Sequence, residues 1–257
     1  MVVVGTNIGA VLVDIETGKS SWVCRCKSDV FSLQLNHSSS TVKSGGNTKK
    51  IHESALLCRN GAIVTIDTRQ KPEGFPARLT SHRLPYPSRN TSNPSSRSDK
   101  KFSRQWFQLK GNICHSSTTY MPSSVSCLAL LKLYDRYFLG SSMDGSIKLY
   151  DHRLIQRGAI LSYEGNMNSH SRLQLGVDPS ERFVMSGGED CRLRLWSIKS
   201  GELLFEDKFM NSVPSVLCWG QAEDVQNTRD GYRDYQHNHC RGAWVGSEEG
   251  LYYVDST

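Results

Sequence analysis

The chain has 257 residues and a mass of 28.8 kDa, which is enough for a sizeable hydrophobic core in one or two domains. Hydrophobic residues make up only 37% of it, so we expect part of the chain to lie outside that core. The apolar run Val2–Val13 is too short to span a bilayer and has no basic residues before it, which argues against a membrane segment and a secretory signal. The eight cysteines form no CxxC pair, so we expect reduced thiols and a location in the nucleus, the cytoplasm or both.

The net charge of +6 belongs to one segment. Residues Arg69–Lys110 contain ten Lys and Arg against two acidic residues, a net charge of +8, whereas the rest of the chain carries −2. The segment is also rich in Ser and Pro, and this composition predicts a disordered insertion at about residues 71–101. After it, the alternation in Phe102–Leu109 is compatible with an extra strand that returns to a sheet.

A pattern of small residues, a tight turn, an alternating strand and a polar stop recurs along the chain. Asn-Gly and Asp-Gly pairs mark two of the turns, and such pairs favour two-residue hairpins. The sequence therefore predicts five hairpins, which cover Val4–Asp14, Arg59–Asp67, Leu139–Asp151, Met185–Ser197 and Val245–Asp255.

Further apolar strands flank most of these hairpins, which gives four strands per unit. The polar stops lie at positions 14, 67, 151, 197 and 255, and a base period of about 42–46 residues fits if insertions lie near 37–53, 70–122 and 222–241. A four-stranded unit of this length is typical of a WD-repeat propeller blade. We therefore predict an all-β WD-repeat β-propeller over residues 1–257, with about five blades, the first incomplete. Because seven blades are typical of this class, we expect a truncated seven-bladed ring.

Three segments add a closer resemblance: Tyr163–Asn168, Gly187–Ser197 and Val213–Val216. They resemble the cullin-4 associated WD-repeat factors, which are substrate receptors of cullin-4 RING ubiquitin ligases. Gly165 and Asn166 stand where the WD repeat usually has Gly-His. The resemblance implies a protein-binding function and a place in a ubiquitin ligase complex.

An Asp-x-Arg motif ends two successive hairpins, as Asp67-Thr68-Arg69 and as Asp151-His152-Arg153 after Tyr150. It resembles the box through which cullin-4 receptors bind the damage-specific DNA-binding adaptor with the arginine. That resemblance implies an adaptor-binding set of Asp67, Arg69, Tyr150, Asp151 and Arg153. The alternative is that these are surface arginines that cap strand ends. The next hairpin departs from the motif, because it ends in Trp196-Ser197-Ile198-Lys199.

Other motifs favour structure over chemistry. Thr17–Ser20 ends like a phosphate-binding loop, but the glycine required five residues before Gly18 is Val13, so we predict a hairpin turn. His237, His239 and Cys240 lack the second ligand pair that is usual in a structural zinc site, so we predict a solvated loop. No spacing indicates a catalytic group, and we predict a non-enzymatic protein without metal or cofactor.

The sequence thus predicts a substrate receptor that binds the adaptor of a cullin-4 ligase and an unidentified protein substrate. The alternative is a WD-repeat scaffold in an RNA-processing or chromatin complex. In that alternative the basic segment, with Phe102, Trp106 and Phe107, binds nucleic acid through phosphate contacts and base stacking.

Overall fold

A computed structural model describes most of the chain: residues 2–7, 9–26, 32–37, 53–59, 61–67, 81–85, 106–111, 113–220 and 242–255. Within these ranges the regular structure is β-strand, apart from one 3-10 turn at Ile155–Arg157. The all-β prediction is confirmed.

In chain order the strands are β1 (Val2–Thr6), β2 (Gly9–Val13), β3 (Ser20–Cys26), β4 (Ser32–His37), β5 (Glu53–Arg59), β6 (Ala62–Asp67), β7 (Ser81–Pro85), β8 (Trp106–Gly111), β9 (Ile113–Tyr120), β10 (Val125–Leu130), β11 (Tyr137–Ser142), β12 (Ile147–Asp151), β13 (Leu161–Tyr163), β14 (Leu175–Val177), β15 (Phe183–Gly187), β16 (Leu193–Ser197), β17 (Leu203–Asp207), β18 (Val216–Trp219), β19 (Gly242–Ser247) and β20 (Gly250–Asp255).

The described strands form five sheets, which we call blades 1 to 5. Their strand orders are β1-β2-β3-β8-β7, β4-β5-β6-β9, β10-β11-β12-β13, β14-β15-β16-β17 and β18-β19-β20. The pairing is antiparallel, and each of the five predicted hairpins joins neighbouring strands of one sheet. Blades 2, 3 and 4 have the four strands that the repeat predicts, whereas blade 5 has three described strands and blade 1, which we expected to be incomplete, has five.

Blade 1 contains two strands that come from the basic segment. Strand β8 pairs with the outer strand β3, so the alternation in Phe102–Leu109 did mark a returning strand. Strand β7 pairs with β8 and lies inside the segment 71–101 that we expected to be disordered, so that expectation is wrong for Ser81–Pro85. The unpaired edge of β3 offers backbone donors and acceptors, and strand addition satisfies them despite the polar composition. The rest of 71–101 lies outside the described residues.

The chain forms two compact units, Met1–Ser162 and Tyr163–Thr257. In the first unit, residues of facing sheets bury two apolar clusters, Val3, Ala10, Cys24, Ala62, Val64 and Leu109, and Ile63, Met121, Val125, Leu128, Phe138, Tyr150 and Ile155. In the second unit, blades 4 and 5 bury Met185, Leu193, Met210, Leu217, Ala243 and Val245. Within each unit, these clusters pack neighbouring sheets against one another.

Tight turns close the hairpins as the sequence indicates. Gly61 and Gly145 have φ of 85°, and Cys191, which occupies the position of Gly145 in the next repeat, has φ of 62°. Thr17–Ser20 forms the predicted turn between β2 and β3, where the Asp14 backbone bonds with Lys19 and Gly18. That segment is a hairpin connection, and no helix follows it.

Candidate functional site

The second Asp-x-Arg motif lies where β12 of blade 3 ends. The register places Tyr150 opposite Phe138 and Asp151 opposite Tyr137. The Tyr150 ring is buried and stacks on the Phe138 ring, with 5.1 Å between centroids. The structure thus corrects one part of the predicted set: Tyr150 holds the strand end from the core and offers no open surface to a partner.

Asp151 shapes the turn that follows the strand. Its carboxylate Oδ1 accepts the backbone N–H of Arg153 at 2.7 Å, and its carbonyl oxygen accepts the N–H of Leu154 at 3.1 Å. Asp is favoured at such positions because its short side chain can bond to the backbone two residues on. As a result, the chain bends away from the sheet and exposes Arg153 and Leu154 to solvent.

His152, the middle residue of the motif, points inward. Its N–H donates to the Arg136 carbonyl at 2.9 Å, and its ring packs on the Phe138 ring with 4.8 Å between centroids. Nε2 is buried and has no hydrogen-bond partner among the described residues. Burial lowers the pKa of His152 below its ordinary 6.5, while the carboxylates of Asp151 and Asp135 act in the opposite direction. The imidazole is therefore held neutral at neutral pH.

Arg153 follows the half-buried His152, and two residues after Arg153 the buried Ile155 enters the apolar cluster of blade 3. Ile155 also begins the 3-10 turn, which packs against β9 of blade 2. Within the described part of the chain, no carboxylate is within ion-pair distance of the Arg153 guanidinium. The turn of residues 151–154, which we call the Arg153 corner, therefore presents a cation that no carboxylate of the described residues neutralises.

The first Asp-x-Arg motif is only partly described. Asp67 ends β6, the third strand of blade 2, as Asp151 ends the third strand of blade 3. The two blades are neighbours: Leu128 of β10 accepts from Gln34 Nε2 at 3.2 Å and donates its N–H to Ser32 Oγ at 3.1 Å. The Asp67 side chain and Arg69 lie outside the described residues, and so do His237, His239 and Cys240.

In blade 4, two buried side chains tie the hairpin to the rest of the sheet. Trp196 is buried and its Nε1 donates to the Glu164 carbonyl at 2.9 Å. Arg194, which is also buried, pairs through its guanidinium with Asp190 in the hairpin turn and with Glu206 of β17. An arginine thus fixes the turn aspartate. The sequence signal for this role was Arg194 at an inward position of an otherwise apolar strand.

A second carboxylate of the same turn holds the loop before β14. Glu189 accepts the N–H groups of Ser169, His170 and Ser171 and both serine hydroxyls, at distances from 2.6 to 3.2 Å. The hydroxyl of Ser169, and then that of Ser171, lowers the pKa of Glu189 to about 2. Sequence reasoning missed this contact because the partners lie some twenty residues apart.

We searched the described ranges for metal-binding groups and for membrane-spanning helices. There, no three His, Cys, Asp or Glu side chains come together as ligands for a metal ion. In the same ranges, no helix has the length and apolar character to cross a membrane. What the described surface does offer is the exposed corner around Arg153.

Comparison with known families identifies the class of protein. The WD40 family (WD domain, G-beta repeat) matches residues 162–197, which run from the end of β13 to the end of β16. A chain in the crystal structure of the mitotic checkpoint complex shares the fold, with a TM-score of 0.56 at 14% identity, over 99% of this chain and 56% of the other. The chain has a WD-repeat β-propeller fold and contains a WD40 repeat.

Three individual proteins are similar to parts of this chain. The chain is 32% identical over 116 residues to DDB1- and CUL4-associated factor 4 of Bos taurus, covering 45% of this chain and 22% of the relative. It is 40% identical over 83 residues to DDB1- and CUL4-associated factor 4-like protein 2 of Homo sapiens, covering 32% and 20%. Target of rapamycin complex subunit LST8 of Bos taurus is 28% identical over 131 residues, covering 49% and 39%. The matches to the first two span about a fifth of those relatives.

Proposed function

We propose that this chain is a substrate-receptor module of a cullin-4 RING ubiquitin ligase, which binds the adaptor DDB1 through its Asp-x-Arg corners. Its role is non-enzymatic and positional. One edge of the blades binds the adaptor, while other loops hold a protein substrate near the transferring enzyme. A fixed sheet framework suits this task because its loops keep their relative positions.

The observation that carries the proposal is the Arg153 corner, in a chain similar to two DDB1- and CUL4-associated proteins. Arg153 is exposed and held by Asp151, with no competing carboxylate among the described residues. Arginine is enriched in interface hot spots because its planar guanidinium makes several directed hydrogen bonds. Arg69 has the same place in the motif of the neighbouring blade, which offers the partner a second cation.

Affinity purification of the tagged chain from human cells, followed by mass spectrometry, tests this proposal. We expect DDB1 and CUL4 to co-purify with the wild-type chain and to be lost from the double variant Arg69→Ala, Arg153→Ala. Lys199→Ala is the matched control, since Lys199 is an exposed cation at the corresponding position of blade 4. Recovery of DDB1 at wild-type levels with the double variant would contradict the assignment of these arginines.

One observation favours the alternative function, nucleic-acid binding. In blade 1, Arg25 pairs with Lys110, and Gln108, two residues before Lys110, pairs with Arg83. Because directly opposite residues and every second residue share a face, the three cations lie on one face of the sheet. All three are exposed, and the Arg25 guanidinium lies 4.4 Å from the centre of the Trp22 ring. A cationic face beside an aromatic ring suits single-stranded RNA.

Salt dependence decides whether this face binds RNA. Three phosphate contacts predict a slope of about −2 in log K against log salt for a single strand, or about a twentyfold loss between 50 and 200 mM. We expect this with a uridine oligonucleotide if the alternative holds, and a weaker slope for Arg83→Ala with Lys110→Ala. Absence of binding at 50 mM salt would exclude it.

A further inference from the structure

The residue after the strand-terminal polar residue points inward in two successive repeats, fully buried in blade 4 and half-buried in blade 3. In blade 4, Ile198 follows Ser197, is 6% exposed and donates its N–H to the Arg182 carbonyl at 2.8 Å. In blade 3, His152 follows Asp151 and donates its N–H to the Arg136 carbonyl at 2.9 Å. The same backbone contact and the same inward direction recur. In blade 3, however, a titratable ring occupies the place of an aliphatic side chain.

This position lies directly before Arg153, at one end of the exposed segment. The His152 ring packs on Phe138 before it, and Ile155 enters the core after it, so the exposed segment contains only Arg153 and Leu154. A two-residue loop fixed at both ends has few conformations, and a preorganised loop loses less entropy on binding. The N–H groups of Arg153 and Leu154 bond to Asp151 within the turn, while the His152 ring and Ile155 hold its two ends.

We propose that His152 is a positioning residue for Arg153: its half-buried ring, packed on Phe138, anchors the turn that presents the arginine to DDB1. The inference rests on the proposed function for its partner, but the anchoring itself is a property of the chain alone. The middle position of this Asp-x-Arg motif is therefore part of the binding corner and not a spacer.

Anchoring through imidazole makes the corner sensitive to pH. The ring packs on the uncharged Phe138, and the charged groups that act on it are the carboxylates of Asp151, at the end of β12, and Asp135, before β11. Protonation would place a cation in this apolar site. Because the folded state lowers the pKa of His152, the stabilisation from the neutral ring is complete above pH 6.5 and declines as the pH falls from 6.5 toward the lower pKa of the folded state.

Three variants distinguish the anchoring role of the His152 ring from the binding role of the Arg153 guanidinium. His152→Ile introduces the side chain that the repeat uses in blade 4, so it keeps the anchor and cannot be protonated. His152→Ala removes the anchor. Arg153→Ala removes the guanidinium and keeps the anchor. Each is measured in two ways: amide hydrogen exchange at Arg153 and Leu154 in the chain alone, and the Kd for purified DDB1 at pH 7.5 and 6.0.

We expect His152→Ala to exchange the Arg153 and Leu154 amides at least about tenfold faster, which equals about 1.4 kcal/mol, and to bind DDB1 more weakly at both pH values. His152→Ile should keep wild-type exchange and affinity at pH 7.5 and should lose less affinity than the wild type at pH 6.0. Arg153→Ala should bind weakly but keep slow exchange at Leu154.

Two outcomes would overturn the proposal: unchanged exchange in His152→Ala, or failure of His152→Ile to restore it. If Arg153→Ala and Arg69→Ala leave DDB1 binding intact, the Asp-x-Arg arginines do not bind DDB1, and that part of the proposed function is wrong. The exchange measurements still decide, independently, whether His152 fixes the turn.

Discussion

Arg194 is a buried residue whose ion pairs connect three parts of blade 4. Its side chain is 4% exposed and its guanidinium bonds with Asp190 and Glu206, which join the turn, β16 and β17. Arginine suits this role because its fork bonds with two carboxylates at once. The ion pairs thus link the hairpin turn to two strands of blade 4.

We predict that Arg194→Met lowers the free energy of unfolding by about 2 kcal/mol. This is less than the cost of breaking a fully buried pair, because both carboxylates are partly exposed to water. Urea denaturation measures it. Arg192→Met is the control, since Arg192 bonds with Glu206 but is half exposed, and we expect a change below about 1 kcal/mol. Equal effects of the two substitutions would show that burial of Arg194 is unimportant.

Glu189 gives a prediction about pH. Its pKa of about 2 lies below the ordinary 4.5, so the unfolded chain takes up a proton before the folded chain does. The stability that Glu189 contributes is therefore complete above pH 4.5 and is lost as the pH falls toward 2. We predict that Glu189→Gln lowers stability at pH 5 and has a shallower decline between pH 5 and pH 3, measured by urea denaturation. Glu202→Gln, at an exposed carboxylate, should follow the wild type.

At the scale of elements, hairpins were the most predictable feature. Small residues, a turn pair and an alternating strand gave the correct pairing partners for β5 with β6, β11 with β12, and β15 with β16. The signal is local, because a tight turn fixes the register of both strands. Even Cys191, which is not a turn residue by type, has the left-handed backbone that the aligned Gly145 indicates.

Strand β7 could not be predicted in the same way. Its sequence, Ser81–Pro85, lies in a basic, Ser- and Pro-rich context, and its pairing with β8 spans a long stretch of chain. What favours the strand is the open edge of β3 and β8, which composition does not reveal. Long-range pairing overrode the local preference here.

Strand β8 should contribute to the stability of blade 1. Leu109 is 5% exposed and packs in the cluster of Val3, Ala10 and Cys24, whereas its neighbour Gln108 is exposed. We predict that Leu109→Ala costs about 2–3 kcal/mol in urea denaturation, because it removes buried methyl groups and leaves a cavity. Gln108→Ala should change stability by less than about 0.5 kcal/mol. A neutral Leu109→Ala would show that β8 is not part of the core.

At the scale of the whole molecule, repeat positions predicted the candidate site better than residue types did. Asp151 accepts a hydrogen bond from the Arg153 N–H in the turn after β12, and Arg153 is exposed. Tyr150 was misassigned because an aromatic residue before a motif can face either side of a strand, and only packing shows which. The role of His152 was missed for the same reason, although the aligned Ile198 was available as a signal of burial. The adaptor-binding role of the set, and the larger ring that the repeat count implies, stay predictions.

Equilibrium binding of the purified chain to purified DDB1 tests the central claim most directly. We predict saturable binding and an increase in Kd of at least about thirtyfold, or about 2 kcal/mol, for Arg69→Ala with Arg153→Ala, as for the loss of interface hot spots. The melting temperature should stay close to that of the wild type, because exposed arginines contribute little to folding. Two results would contradict the account. One is a wild-type chain that melts cooperatively but does not bind DDB1; the other is an equal Kd for the wild type and the double variant.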